Sequence, residues 1–513
     1  MPTDQGFLAF DLGAESGRAM IVRFDGQTAS LEEAHRFPNR LVELPSGTHW
    51  NTTGLWLELV EGLGKATDLA KQTDTPIVAL GVDTWGVDFG LIGGQGELLG
   101  LPHAYRDARN APAMQRAIDR IGEAALYAGS GIQLLNFNTL FQVEAQQHAE
   151  PRSLELAERL LFMPDLLHYF FSGEQANELT IASTSAMLKP DATSWASDLL
   201  DRLALPHHFL KDVIPAGSRI GTLRPALAEA AGLGDAPAVV APGSHDTASA
   251  IAAVPLSPEH AATGDWAYLS SGTWSLLGME LDEPIVTDAA RAAGFTNERG
   301  VGGKVRFLTN IAGLWLVQQV RAGFAAAGQT LSYAELTEQA EASEPFRTLI
   351  DPNHASFAAP GGSLEKLKAF GDATGQPAPE TPGQCVRCCL ETLALEYAHA
   401  LQAVEAVTGR HAVVLHIVGG GGQNGLLNRM TANAIHRPVV VGPFEATALG
   451  NGLTQAIGTG ALAGLDELRA VVRHSFELET VEPDPTDPTD PTTGPEAFAA
   501  QADRYAALRG AGP

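Results

Sequence analysis

Asp246 lies in the segment GSHDTASA, directly ahead of an Ala-rich stretch that runs to about Val254. An aspartate at such a place commonly caps a helix N-terminus. The same position sets a carboxylate beside the positive end of a helix, where a transferring phosphoryl group is stabilised. In a loose phosphoryl-transfer transition state the attacking hydroxyl keeps its proton until late. An ordinary carboxylate therefore suffices to orient that hydroxyl and take its proton. Neighbouring His245 either shapes the same pocket or is an uninvolved, hydrogen-bonded histidine.

Two loops of small residues have the composition of phosphate-binding turns. Asp11 closes the apolar run FLAFDLG and is followed by Gly13, Ser16 and Gly17, whose small side chains let backbone amides approach an anion. A hairpin turn using glycine for positive φ is the competing reading of this fragment, and a carboxylate at the strand end suits a hydrated Mg²⁺. Arg18 is a surface charge or a phosphate contact. The second loop offers Ser270, Ser271, Gly272 and Thr273. Gly419 to Gly422 form a third, all-glycine turn after HIV, without the Lys and Ser/Thr of a Walker loop or the spacing of a dinucleotide fingerprint. In GVDTWGVDFG, Asp83 ends a strand, Trp85 and Phe89 are candidate walls, and Gly86 is where backbone can meet a sugar. The carboxylates of Asp83 and Asp88 would suit a glycosidase, but nothing else in the chain supports that chemistry.

The elements that must position these residues read as α/β. A hairpin of two apolar strands opens the chain. A strand near Ala29 to Phe37, an amphipathic helix near Thr53 to Lys71 and the strand PIVALGVD ending at Asp83 follow, then mixed helices and loops to about Pro242. WAYLSSGTWSLLGME, from Trp266, repeats the strand, small-residue turn and strand of the opening. A long helix near Cys388 to Thr408, the strand AVVLHIV, the glycine turn, the strand PVVVG and a helix from about Ala446 complete a second half. Two halves that each open with a hairpin imply a cleft between them. TVEPDPTDPTDPTTGP, from Thr480 to Pro495, cannot bury apolar surface and reads as a solvated tether to a short C-terminal helix.

Composition narrows the partners. The chain has 513 residues, 45% of them hydrophobic, enough for two to four packed domains. Its 33 Lys and Arg against 60 Asp and Glu give a net charge of -27, which repels nucleic acid and anionic membranes. A nucleotide would have to be held by local amides and a divalent metal. Cys385, Cys388 and Cys389 sit in one short stretch, unlike a disulfide framework or a complete zinc site, so a cytoplasmic setting and ordinary packing are expected. No signal-peptide pattern opens the sequence, and no stretch has membrane-spanning length. Monomer and homo-oligomer both stay open.

Taken together, the segments DLGAESGR (11–18), DTWGVDF (83–89), GLPHAYRDAR (100–109), SGIQLLNFNTLFQ (130–142) and MPD (163–165) resemble the FGGY family of carbohydrate kinases, of the actin-like superfamily. SHDTASA (244–250), SSGTWSLLG (270–278), FTNERG (295–300), NIAGLWLVQ (310–318) and HIVGGGGQN (416–424) continue the likeness in order, up to about residue 480. The resemblance implies two actin-like (ribonuclease H-like) α/β domains with a nucleotide and sugar cleft between them. The first, residues 1–243, is the sugar side, and the second, 244–480, is the nucleotide side; a tether and helix follow at 481–513. It implies ATP and Mg²⁺ as cofactors, ATP contacts at Ala14, Glu15, Ser16, Gly17, Arg18, Thr273, Gln318 and Gly420, and sugar contacts at Gly86, His245, Asp246, Thr247 and Asn310. Asp246 matches the proton acceptor, and Asp11 would reach the metal through water. The Trp85, AYRDAR and NFNTLFQ segments look particular to the branch that phosphorylates L-rhamnulose at O1. Another ketose or polyol (fuculose, xylulose, glycerol) and a non-catalytic actin-like switch are the alternatives. Glu15 stands where small or hydroxyl residues are usual, Arg299 stands in a usually glycine-rich stretch, and the acidic tether is not a family feature.

Overall fold

The computed structural model describes residues 4–484 and 494–511. The chain divides into two compact units. The first takes the chain as far as Pro258, together with Glu280–Phe307 and Glu445–Phe476. The second takes Glu259–Met279, Leu308–Phe444 and the chain from Glu477. This division differs from a single boundary at 243/244 because two later segments return to the first unit.

The first unit is built on a six-stranded sheet. β1 (Gln5–Leu12) and β2 (Ser16–Phe24) form the expected antiparallel hairpin, and β3 (Ala29–Pro38) continues it. β4 (Ile77–Thr84) runs parallel to β1, and β5 (Arg219–Thr222) and β6 (Ala238–Val240) extend the far side, giving the order β5-β6-β4-β1-β2-β3. β1 and β4 are apolar along most of their length, up to the carboxylates Asp11 and Asp83 near their ends, as strands covered on both faces must be. The helix Thr52–Gln72 presses Gly62 against Ala19 and Phe10, whereas the helix Ala446–Thr459 presses Gly452 against Val22. Ala19 and Val22 are three apart on β2 and so point to opposite faces. The return of Glu445–Phe476 is therefore what seals the second face.

The second unit repeats the plan. β7 (Trp266–Ser271) and β8 (Ser275–Leu281) form a hairpin. β9 (Val305–Ile311) lies beyond β8, and β10 (Val414–Val418), β11 (Val439–Val441) and β12 (Glu479–Val481) lie beyond β7. β10 is parallel to β7 and β11 is parallel to β10. Both sheets thus place a hairpin's first strand centrally, with antiparallel pairing to its hairpin mate and parallel pairing on the other side. The likeness between the two hairpins extends to whole sheets.

Within that unit the long helix runs Pro382–Thr408 and starts ahead of the cysteines. Thr381 and Gln384 close a capping box around Pro382, a start signal that outranks the later apolar run. The three thiols are free and buried on this helix, and burial pushes the Cys385 thiol up to about 12. The C-terminal helix forms over Pro495–Leu508 and docks: Phe498 meets Phe346 edge-on at 4.9 Å, and Tyr505 Oη donates to Glu396 Oε2 at 2.7 Å. Residues 485–493 of the Pro-Asp-Thr stretch lie outside the described residues. Among the described residues no helix is long and apolar enough to cross a membrane.

The helix carrying Asp246, Asp246–Ala252, rests on Ala446–Thr459 at Gly450, where an added Cβ would stand 1.9 Å from the Ser249 carbonyl oxygen. Backbone cannot yield as a side-chain tip does. Gly450→Ala is expected to lower stability by about 2–3 kcal/mol, measured by urea unfolding, because overpacking must push these helices apart.

Candidate active site

In the first unit the strand ends gather carboxylates. Asp11 on β1 pairs in register with Asp83 on β4, and Thr84 N donates to the Ser244 carbonyl at 2.9 Å, laying residues 244–246 beside the end of β4. Asp83 is fully buried. Its Oδ2 accepts from Asn451 Nδ2 at 2.6 Å, while its Oδ1 has no hydrogen-bond partner among the described residues. Burial, and then the charge of Asp11, hold its carboxyl well above the usual range. Asn451 is fixed by Gln455, whose Nε2 also donates to the Leu8 carbonyl at 3.0 Å. Arg18 donates to Asp11 Oδ2 at 2.5 Å and to Glu445. Burial alone would lower its pKa, but these two carboxylates outweigh burial and hold it above its ordinary value. Arg18 thus bridges two carboxylates.

The helix that carries Asp246 begins one residue earlier than a capping aspartate would require. His245 is the N-cap, and its side chain makes no cap bond, while Asp246 is the first helical residue. Asp246 Oδ1 accepts from Thr247 N at 2.6 Å and Thr247 Oγ1 at 3.1 Å, and lies 3.3 Å from His245 Nε2. Oδ2 takes no hydrogen bond from the described residues. The side chain is 32% exposed. One carboxylate oxygen is saturated and the other is available. Burial raises the Asp246 carboxyl, His245 lowers it and Asp11 raises it, with a net upward shift.

Asp88 is a strut. Its Oδ2 accepts from Trp50 Nε1 at 2.6 Å, Trp85 Nε1 at 2.9 Å and Tyr105 N at 3.1 Å, and its Oδ1 accepts from Gln142 Nε2 at 2.7 Å. Burial still pushes it up to about 6. The three segments around Trp85, Tyr105 and Gln142, separate in sequence, are therefore tied at one carboxylate. Trp85 is buried against Trp50, with ring centroids 4.0 Å apart, and is less open than a bare wall would be. Gly86 faces Thr184, whose hydroxyl holds the Val87 amide at 3.1 Å.

The loop Gly13–Ser16 is closed by Gly13 N donating to Ser16 O at 2.9 Å. Ala14 is half-buried, and Glu15 and Ser16 are exposed. Gly17 is glycine for packing, since a Cβ would stand 2.3 Å from the Phe37 ring.

In the second unit the hairpin turn holds Thr273 against the helix Trp315–Ala326. Trp315 N donates to Thr273 O at 3.0 Å, and Gln318 Nε2 donates to Thr273 Oγ1 at 3.2 Å. The glycine run packs on the same hairpin: a Cβ on Gly421 would stand 2.2 Å from Ser271 Oγ and one on Gly419 2.8 Å from Ser271 O. Gly420 between them meets nothing within 4 Å and faces open space. Thr273, Gln318 and Gly420 are thus brought to one hairpin. Asn310 lies near the end of β9, in the second unit, whereas Gly86, His245, Asp246 and Thr247 belong to the first.

Residues that sequence reasoning did not find complete the first-unit site: Asn451, Glu445, Glu178, Glu298 and Arg306. Glu178 Oε2 accepts the Ser244 amide at 3.2 Å, and burial pushes its carboxyl up to about 7. Only FTNERG, quoted for its likeness, pointed toward Glu298. Among the described residues the one cluster of three potential metal-ligating side chains within direct reach of a single ion is His35, Glu58 and Glu61. Asp11, Asp83 and Asp246 form no such direct cage.

Models of the FGGY family of carbohydrate kinases match the chain over residues 7–253 (N-terminal domain) and 267–459 (C-terminal domain). A rhamnulokinase from Bacteroides thetaiotaomicron is 41% identical over 479 residues, 93% of this chain and 96% of that protein. A rhamnulokinase from Oceanobacillus iheyensis is 34% identical over 473 residues, 92% and 97% of the two chains. In shape the chain matches the xylulose kinase of Lactobacillus acidophilus with a TM-score of 0.77 at 13% identity, covering 99% of both chains. It matches the ADP-bound glycerol kinase of Plasmodium falciparum with a TM-score of 0.73 at 14% identity, covering 98% of both. The shape likenesses establish the two-domain α/β fold alone. With both domain models matched in order and relatives aligned over nine-tenths of its length, the chain belongs to the FGGY family of carbohydrate kinases.

Proposed function

We propose that the protein transfers the γ-phosphate of ATP to O1 of L-rhamnulose, forming L-rhamnulose 1-phosphate. The observation that carries the chemistry is Asp246 itself, with Oδ1 saturated by Thr247 and Oδ2 free on a partly exposed side chain. The sugar is supported by the relatives named rhamnulokinase. It is also supported by the Asp88 strut, which ties together the segments that look particular to that branch.

Asp246 Oδ2 orients the 1-hydroxyl and accepts its proton as the O–P bond forms and the bond to ADP breaks. Gly86, His245, Thr247 and Asn310 contact the sugar, and Asp246 takes its reacting hydroxyl. Ala14 to Arg18, Thr273, Gln318 and Gly420 contact the nucleotide. Gly420 suits that role because it faces open space while its glycine neighbours are packed against Ser271. The donor set at the strand ends suits a hydrated Mg²⁺ held by Asp11 through water, since hard cations take carboxylate oxygen and, among the described residues, Asp83 Oδ1 has no hydrogen-bond partner. Mg²⁺ when bound offsets the negative charge that the nucleotide phosphates bring to these carboxylates. The free, buried thiols suit a reducing cytoplasm, where ATP is supplied.

A panel of ketoses and polyols with Mg-ATP tests the assignment through ADP release. L-Rhamnulose is expected to stimulate release most. Preference for fuculose, xylulose or glycerol would reassign the sugar, and the absence of stimulation by any of them would favour a nucleotide switch. Asp246→Asn is expected to lower kcat by roughly 10²-fold to 10⁴-fold with ATP binding retained, because a positioned base is lost. Thr273→Val removes the hydroxyl that Gln318 bonds and is expected to raise KM for ATP roughly tenfold while KM for the sugar holds, about the worth of one hydrogen bond.

A further inference from the structure

Behind Asp246 lies a buried ionic network that the proposed reaction does not use directly. Arg306 is 0% exposed. Its Nε donates to the Arg299 carbonyl at 3.0 Å, and its Nη2 lies 3.0 Å from both Glu298 Oε2 and His245 Nδ1. Glu298 Oε2 is also 3.2 Å from His245 Nδ1. The opposite ring nitrogen, Nε2, is 3.3 Å from Asp246 Oδ1. A guanidinium has donors only, so an Nδ1 that bonds Arg306 must accept, and the neutral ring then carries its proton on Nε2. That nitrogen is the one 3.3 Å from Asp246 Oδ1.

We propose that Arg306, paired with Glu298, is a positioning residue: it fixes His245 as the Nε2–H tautomer, so that His245 and Thr247 together occupy Asp246 Oδ1 and leave Oδ2 to take the sugar proton. This rests on Asp246 being the proton acceptor. Glu298 is needed because a fully buried guanidinium without a counter-charge is costly. Arg306 in turn holds the Glu298 carboxyl below its usual range despite its burial. The titratable groups that face Asp246 are His245, Asp11 and Asp83, and Arg18 pairs with Asp11.

Loss of Arg306 alone leaves Glu298 facing Nδ1. The carboxylate then draws the proton to Nδ1, and a bare Nε2 lone pair faces Asp246, which disfavours its ionised form. The base must be ionised to work, so activity is lost as pH falls through its pKa, and a higher pKa moves that loss to higher pH. Replacing both partners removes the acceptor that flips the ring.

The test is the acid limb of kcat/KM against pH for the sugar that drives turnover, measured with thermal melts on wild type, Arg306→Met and Arg306→Met/Glu298→Met. In Arg306→Met the limb is expected to move up by about one pH unit, with kcat at neutral pH lowered about tenfold. In the double variant the limb is expected back at the wild-type position. Superimposable limbs in all three, with rates that follow only the folded fraction, would overturn the proposal. Should Arg306→Met not fold, His245→Gln, which keeps a side-chain donor, and His245→Leu, which lacks one, replace it. The Gln limb should stay near wild type and the Leu limb should rise; identical limbs overturn the proposal. Wild-type enzyme that no sugar stimulates would instead remove the reading of Asp246 as a base.

Discussion

Three carboxylates, on Asp11, Asp83 and Asp246, stand near one another at the strand ends of the first unit, and much of the surrounding structure answers the cost of keeping them there. Like charges in a poorly solvated place disfavour one another's ionisation. Each aspartate meets this differently. Asp11 has Arg18, Asp83 is held toward its neutral form with one oxygen on Asn451, and Asp246 keeps part of its side chain in solvent. Arg18 needs Glu445 as well, and both Glu445 and Asn451 come from the segment that returns to the first unit. The chain crossing is thus an electrostatic requirement as well as a packing one.

The sugar side is organised by a different carboxylate. Asp88 takes four hydrogen bonds and still has its pKa raised from 3.8 to about 6, an opposition to ionisation worth roughly 3 kcal/mol. A group with a raised folded-state pKa favours the fold while protonated and loses that advantage as pH rises through the folded value. Asp88 therefore holds Trp50, Trp85, Tyr105 and Gln142 together at some cost to stability near neutral pH. Such a cost is characteristic of a region built for geometry rather than for stability.

The sequence made the hairpins, the apolar central strands and the Gly420 turn legible, because period-two patterning, continuous apolar runs and glycine turns are local signals. It also brought Thr273, Gln318 and Gly420 forward, and these meet at one hairpin. The three-residue strand Ala238–Val240 is too short to show a period, and the start of the helix at Pro382 was hidden by its polar capping box. In sequence Asp88 reads as half of a carboxylate pair with Asp83, yet its four donors come from residues 50, 85, 105 and 142, which no local pattern links. Arg306 was invisible for the same reason, and Glu298 showed only within FTNERG. A buried ion pair is defined by what surrounds it, and in sequence it is only two charges among the many that face water. Asp246 was legible as chemistry but misplaced as a cap, because N-cap and first-turn positions differ by one residue and carry the same preference for aspartate.

Where the phosphate goes distinguishes a rhamnulose 1-kinase from the other readings most directly. Purified protein, Mg-ATP and L-rhamnulose would be incubated and the sugar product examined by proton–phosphorus correlation NMR. The predicted result is a phosphorus signal coupled to the two C1 protons, formed one-for-one with ADP. Phosphorus coupled to protons at any other carbon, or ADP accumulating with inorganic phosphate and no sugar phosphate, would contradict it.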